Sequence, residues 1–229
     1  MIISHRHKFI YLRTEKTAST SLTDALSKIV AQDDEVVKSF SGKWVDALPF
    51  HPGKLKRLFP GIFGLHPHAS ARHVRQIVGA KIFDSYFKFA VERNPWERQV
   101  SLYHHREFKR KNQNPDFDRD MRSPGYRFSH HTRLHNWDIY AIDGKVVTDQ
   151  VLAYETLARD LPAVTRKLGI GSGIELPRRN VGYGGKRAHY STYYSDETRS
   201  LIERWYRREI ATFGYEFDDQ RGPAAAPKN

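Results

Sequence analysis

The chain has 229 residues, enough for one sizeable domain, and no cysteine, which excludes disulfides and thiolate metal sites. Thirty-eight Lys and Arg against 26 Asp and Glu give a formal charge of +12, so the surface attracts polyanions: nucleic acid, acidic glycan or anionic membrane. Nothing reads as a signal peptide or a spanning helix, since Met1 to Phe9 is short and polar, with His5, Arg6, His7 and Lys8.

Lys8 to Leu12 predicts a strand, and Arg13 to Ser21 a loop of small hydroxyl residues around Lys16. A helix follows, with Leu22, Ala25, Leu26, Ile29 and Val30 on one face. The first N–H groups of a helix have no intrahelical partner and lie at the positive end of its dipole, so such an end suits an anion. Small side chains let the backbone approach, and Lys16 adds a full charge. An ordinary capped strand-loop-helix would look the same. A Walker A loop is excluded, because Ile10 and Glu15 stand at its two glycine positions.

Ile62-Phe63-Gly64-Leu65 predicts a short strand, then His66-Pro67-His68, then a helix from Ser70 (cap) to Val78, stopped by Gly79. A histidine can accept a proton near neutrality. A His-x-His pair also arises easily among 12 histidines, and strand alternation alone puts both on one face. No third ligand stands at a typical metal spacing.

Tyr86 to Glu92 predicts a second strand, with a helix starting at Asn94 (cap), Pro95 (first turn) and Glu97 (capping-box carboxylate). Capping does not explain Arg93 at the strand exit, nor Ser101 seven residues beyond Asn94 on the same helix face. An arginine and a hydroxyl converging there could hold a second phosphate.

The run Arg106 to Lys111, with Arg119, Arg122 and Arg127, is interleaved with Phe108, Phe117, Tyr126 and Phe128. It is either an acidic-glycan surface or a solvated face. Trp137 to Ile142 and Lys145 to Thr148 flank Asp143-Gly144, a hairpin signal. Tyr154 to Leu168 is helical in pattern, with Pro162 expected to split or kink it. Lys186 and Arg187 end a glycine-rich stretch able to close over a ligand. Asp196 to Thr212 is the final helix, ended by Gly214, and Gly222 to Asn229 reads as a tail. Strands alternating with helices predict an α/β fold, a parallel sheet flanked by helices, with ligands at the carboxyl ends of the strands.

Lys16-Thr17-Ala18-Ser19-Thr20-Ser21 resembles the 5′-phosphosulfate loop of sulfotransferases that use 3′-phosphoadenosine 5′-phosphosulfate (PAPS). Arg93-Asn94-Pro95-Trp96-Glu97-Arg98 with Ser101 resembles their 3′-phosphate motif, and Tyr193-Tyr194 through Phe217 resembles their ending. The nearest resemblance is to carbohydrate sulfotransferases of the heparan and uronyl 2-O type and their soluble bacterial relatives. One departure is Glu15, where that group usually has proline.

The resemblance implies a P-loop-like three-layer fold, a single domain over residues 1–221, and a tail over 222–229. It implies PAPS-dependent O-sulfation of a carbohydrate hydroxyl, without a metal and with 3′,5′-ADP (PAP) as product. Lys16 would stabilise the leaving phosphate, while His66 and His68 share base and orienting roles. Thr17, Ala18, Ser19, Thr20, Ser21, Arg93, Ser101, Lys186 and Arg187 would complete the nucleotide site. A glycan acceptor, possibly acidic, and a cytoplasmic location are expected, with neither nucleic acid nor stable membrane insertion. The competing readings are a nucleotide phosphotransferase, which wants Mg2+, and a basic nucleic-acid-binding protein, whose charge would serve phosphates.

Overall fold

The computed structural model describes residues 1–30, 34–36, 65–111, 114–126, 136–171, 174 and 188–222. In chain order the elements are β1 (Ile2–Ser4), β2 (Phe9–Leu12), α1 (Ser19–Leu26), β3 (Glu35–Val36), α2 (Ala71–Val78), α3 (Ala80–Ser85), β4 (Phe87–Glu92) and α4 (Pro95–Arg110). They continue as α5 (Phe117–Arg122), α6 (Trp137–Tyr140), β5 (Ala141–Ile142), β6 (Lys145–Val146), β7 (Gln150–Ala153), α7 (Leu157–Lys167), α8 (Asp196–Trp205) and α9 (Arg207–Phe213). They fall into two units, Met1–Glu92 with Asn136–Arg179, and Arg93–His135 with Asn180–Asn229.

The first unit holds a five-stranded sheet in the order β3-β1-β2-β4-β7. Its centre is parallel: Phe9 to Leu12 pair with Phe87 to Ala90, and Phe89 to Glu92 with Gln150 to Ala153. This is the parallel core the alternation of elements predicts. An antiparallel edge is added by β1 and β3. β1 returns into β2 through only four residues, His5 to Lys8, too few for a parallel crossover.

All four residues of β2 are fully buried, as expected of a strand covered on both faces. Phe9, Tyr11, Phe89, Val91 and Leu152 form one core with Leu22 and Leu26 of α1 and Leu157, Leu161 and Val164 of α7. Cutting any of these leucines to alanine costs about 2–5 kcal/mol. The opposite face of β4 carries Lys88, Ala90 and Glu92. There the Lys88 ammonium lies 5.5 Å from the Phe83 ring of α3, and the Tyr140 hydroxyl of α6 donates to Glu92 at 2.9 Å. Helices thus lie on both faces, giving three layers.

The second unit is built on aromatic packing. Trp96, Val100, Leu102 and Tyr103 of α4 share a core with Phe117, Met121, Tyr126, Tyr194, Ile202 and Tyr206. The Phe217 ring stands edge-on to Trp96, Tyr190 and Tyr194 at 5.5, 5.5 and 5.6 Å. Asp118 ties α5 to α8, accepting from the hydroxyls of Ser195 at 2.6 Å and Thr198 at 2.7 Å.

Some elements differ from expectation. Trp137 to Tyr140 form a helical turn, and only Ala141–Ile142 pairs with Lys145–Val146. Apolar residues at 137, 139 and 140 suit either period, and burial of all three decides for the helix. Pro162 lies inside α7, which is continuous from Leu157, with a 3-10 turn at Tyr154–Thr156 before it. The last helix breaks at Tyr206 (φ −109°, ψ 23°) into α8 and α9. Of the strand expected at 62–65, only Leu65 is described, and it is not in a strand.

Candidate functional site

β2 delivers the chain into Arg13 to Ala18, and α1 begins at Ser19. Lys16 (φ 64°) and Ala18 (φ 56°) are both left-handed without being glycine. Each such residue costs roughly 1–2 kcal/mol, so the loop must be held by its surroundings. Thr14 and Thr17 are fully buried, with their hydroxyls 2.7 Å apart. The Thr14 hydroxyl also donates to the Val91 carbonyl of β4. At Glu15 the backbone N–H donates to the Asn136 amide oxygen at 2.9 Å, and the Glu15 carbonyl accepts from the Asn136 amide nitrogen at 3.2 Å.

This anchoring leaves an unusual helix start. Ala18 is the N-cap and has no side-chain oxygen, and no side chain among the described residues caps α1. Its first-turn N–H groups thus keep their affinity for an anion. Arg13 brings a second cation to the start of α1: its guanidinium donates to the Ser19 hydroxyl at 3.2 Å and to the Thr20 hydroxyl at 2.9 Å. Burial lowers the Arg13 pKa. Among the expected contact residues Thr20 is exposed, Ser19 and Ser21 are buried, and the Thr17 hydroxyl is engaged by Thr14.

The histidine pair sits in a turn before α2, beside this loop. His68 Nδ1 lies 2.9 Å from the Arg13 carbonyl. A carbonyl only accepts, so Nδ1 carries the proton and the lone pair is on Nε2. The His68 backbone N–H donates to His66 Nδ1 at 3.0 Å. Neutral His66 therefore carries its proton on Nε2. The two rings are not equivalent: on His68 the unprotonated nitrogen is Nε2, and on His66 it is Nδ1. Burial first, and the Arg13 guanidinium second, lower the His68 pKa from 6.5 to about 3, which keeps that ring neutral at pH 7.

Glu92, at the end of β4, is buried and accepts from Asn136 at 3.0 Å and Tyr140 at 2.9 Å. Arg13, Thr14 and Asn136 were not legible as site residues. Arg13 had one usable signal, being the residue after a strand, as Arg93 is after β4.

In the second unit, Asn94 caps α4 by accepting from the N–H groups of Trp96 (3.1 Å) and Glu97 (3.4 Å). Glu97 pairs with Arg93 at 2.5 Å. Ser101 lies on α4 and is partly exposed. Trp96 and Tyr103 are core residues, and the His104 ring packs edge-on to Tyr193 at 5.1 Å. Arg119 and Arg122 pair with Asp120 and Asp118, while Phe117 and Tyr126 are buried. Lys186 and Arg187 lie outside the described residues.

A cavity of about 590 Å³ lies near the amino end of β4, lined by Arg75, Phe83, Asp84, Lys88, Asp143 and Lys145 among others. It is at the opposite end of that strand from the Val91 carbonyl that anchors the loop. Arg75 and Lys88 are already paired with Asp84 and Asp149. Among the described residues no group of three or more His, Cys, Asp or Glu could hold a metal ion, and no helix is long and apolar enough to cross a membrane.

A model of the sulfotransferase family matches residues 1–216. Among curated proteins, an uncharacterized protein of Archaeoglobus fulgidus is 32% identical over 108 residues, covering 45% of this chain and 84% of that one. Among solved structures, a sulfotransferase from Alicyclobacillus acidocaldarius is 16% identical with a TM-score of 0.45, covering 92% of this chain and 96% of that one.

Proposed function

The chain belongs to the sulfotransferase family, and from that premise we propose that it transfers a sulfuryl group from PAPS to a carbohydrate hydroxyl. The observation that carries the reading is the tie between loop and histidine. Arg13 contacts the hydroxyls of Ser19 and Thr20 with its side chain and holds His68 with its carbonyl. An unprotonated ring nitrogen is thereby anchored to the same segment whose backbone and cations suit a phosphosulfate.

In this reading the first-turn N–H groups of α1, with Lys16 and Arg13, hold the 5′-phosphosulfate. Thr20, Ser19 and Ser21 line the same helix turn, whereas Thr17 and Ala18 shape the loop. Nε2 of His68 takes the proton from the acceptor hydroxyl as the new S–O bond forms. The S–O bond to the phosphate breaks in line, and Lys16 meets the charge left on that phosphate oxygen. Preorganised charge of this kind is commonly the largest contribution to such a barrier. His66, with its N–H on Nε2, orients the acceptor. Arg93 and Ser101, by the motif they stand in, are assigned the 3′-phosphate, and Lys186 and Arg187 the rest of the nucleotide. The positive charge supports an acidic glycan as acceptor.

The test is thermal unfolding with 3′,5′-ADP, with ATP and Mg2+, and with an oligonucleotide. A ligand at about 100 times its Kd stabilises by about 2.7 kcal/mol. Stabilisation by 3′,5′-ADP with little from ATP is the expected result. A preference for ATP, or for the oligonucleotide alone, would overturn the assignment. Transfer of labelled sulfate from PAPS to a glycan panel then identifies the acceptor.

A further inference from the structure

Asn136 is a buried polar side chain, 1% exposed, that spends its whole amide on the anion loop and its support. Its oxygen accepts from the Glu15 N–H at 2.9 Å, and its nitrogen donates to the Glu15 carbonyl at 3.2 Å and to the Glu92 carboxylate at 3.0 Å. Glu92 in turn accepts from the Tyr140 hydroxyl at 2.9 Å. One side chain therefore grips both backbone groups of a single loop residue, and β4 and α6 fix that side chain from behind. The gripped residue immediately precedes Lys16, which is left-handed at φ 64°. A left-handed lysine relaxes to an ordinary conformation unless its neighbours forbid it.

We infer that Asn136 is a positioning residue: through the Glu15 peptide it holds Lys16 and the following N–H groups in the geometry that receives the anion. It touches neither donor nor acceptor. Its amide chemistry suits the task, since it satisfies a donor and an acceptor on one peptide while remaining uncharged beside Glu92. Asn136 meets Glu15 only through its backbone N–H and carbonyl, so the clamp does not need the Glu15 carboxylate. This inference rests on the proposed anion site, and its tests separate the two.

The experiment is a double-mutant cycle of Asn136→Ala and Lys16→Ala, read by 3′,5′-ADP affinity, with Glu15→Ala as control. Lys16→Ala removes the charge that the clamp is held to position, and alanine at 15 keeps the N–H while losing the carboxylate. Each of the first two should weaken 3′,5′-ADP by about tenfold, the scale of one satisfied hydrogen bond. The losses should not multiply in the double variant, because Asn136 acts through the placement of Lys16. Glu15→Ala should not weaken 3′,5′-ADP, because the lost carboxylate opposes an anion and the N–H remains. Singles that bind like wild type, or a double in which the losses multiply, overturn the proposal.

Amide exchange on the unmodified protein tests the clamp without any ligand. The Glu15 amide should exchange at least about 100-fold more slowly than in an unstructured peptide. Exchange at the unstructured rate would remove the clamp even if nucleotide binds. A protected Glu15 amide in a protein that ignores 3′,5′-ADP would instead leave the clamp standing and remove the sulfotransfer reading.

Discussion

The environment of His68 predicts an acid sensitivity that needs no substrate to observe. Burial and the neighbouring Arg13 charge lower its pKa from 6.5 to about 3. Between those values the unfolded chain has taken up a proton that the folded chain refuses. The unfolded state then binds more protons, so stability rises with pH through this window. The contribution is whole above the unfolded value and is lost as pH falls toward 3. Each pH unit inside the window is worth about 1.4 kcal/mol. At pH 5.0, about 1.5 below the unfolded value, His68 alone should remove about 2 kcal/mol relative to pH 7.5. The comparison variant is His68→Asn. Its amide nitrogen stands close to where Nδ1 stood and can still donate to the Arg13 carbonyl, but it does not titrate. Urea unfolding at the two pH values should show wild type losing about 2 kcal/mol more than the variant. Parallel losses in the two proteins would mean that the ring is not held neutral by its surroundings.

Two further perturbations address the supports around the sites. Thr17→Val keeps the side-chain volume but removes one of the two hydroxyls that meet at 2.7 Å in the core; urea unfolding should show a loss of about 1–2 kcal/mol, and no measurable loss would contradict the tie. In the second unit, burial raises the Asp118 pKa, but hydrogen bonds from Ser195 and Thr198 outweigh it and leave the carboxyl below its usual value. That stability is present above the ordinary carboxylate range and is lost as pH falls through the lowered value. Asp118→Asn should cost about 1.5–3 kcal/mol at pH 7, with a smaller difference from wild type near pH 3; a pH-independent difference would refute the charge-assisted bonds.

The strands and helices that carry the site were readable because their signals are local. Phe9 to Leu12 is an unbroken apolar run, and Leu22, Ala25 and Leu26 recur at helical spacing. Asn94-Pro95 states a helix start through the chemistry of the cap. Tyr206 was not readable as a break, since nothing in its neighbours stops a helix. Its ring packs over the Arg98 guanidinium at 4.7 Å, and its hydroxyl donates to Gln99 at 2.6 Å, contacts that span about a hundred residues. His66 and His68 were legible as a pair. Their separate roles were not, because those depend on a backbone bond inside the turn and on the Arg13 carbonyl.

The loop itself shows why part of a site of this kind escapes single-sequence reading. A phosphate loop rich in glycine announces its left-handed positions, since glycine adopts them at no steric cost. Here Lys16 and Ala18 occupy such positions without glycine, so the local sequence carries no sign of the conformation. The strain is offset by partners far along the chain: Val91, 77 residues from Thr14, and Asn136, 121 residues from Glu15. Those partners leave no periodicity or spacing to detect. An asparagine before Trp137 reads equally well as a turn residue. The hydroxyl composition of the loop thus indicates what it can bind, and the distant clamps determine whether its backbone is shaped to do so.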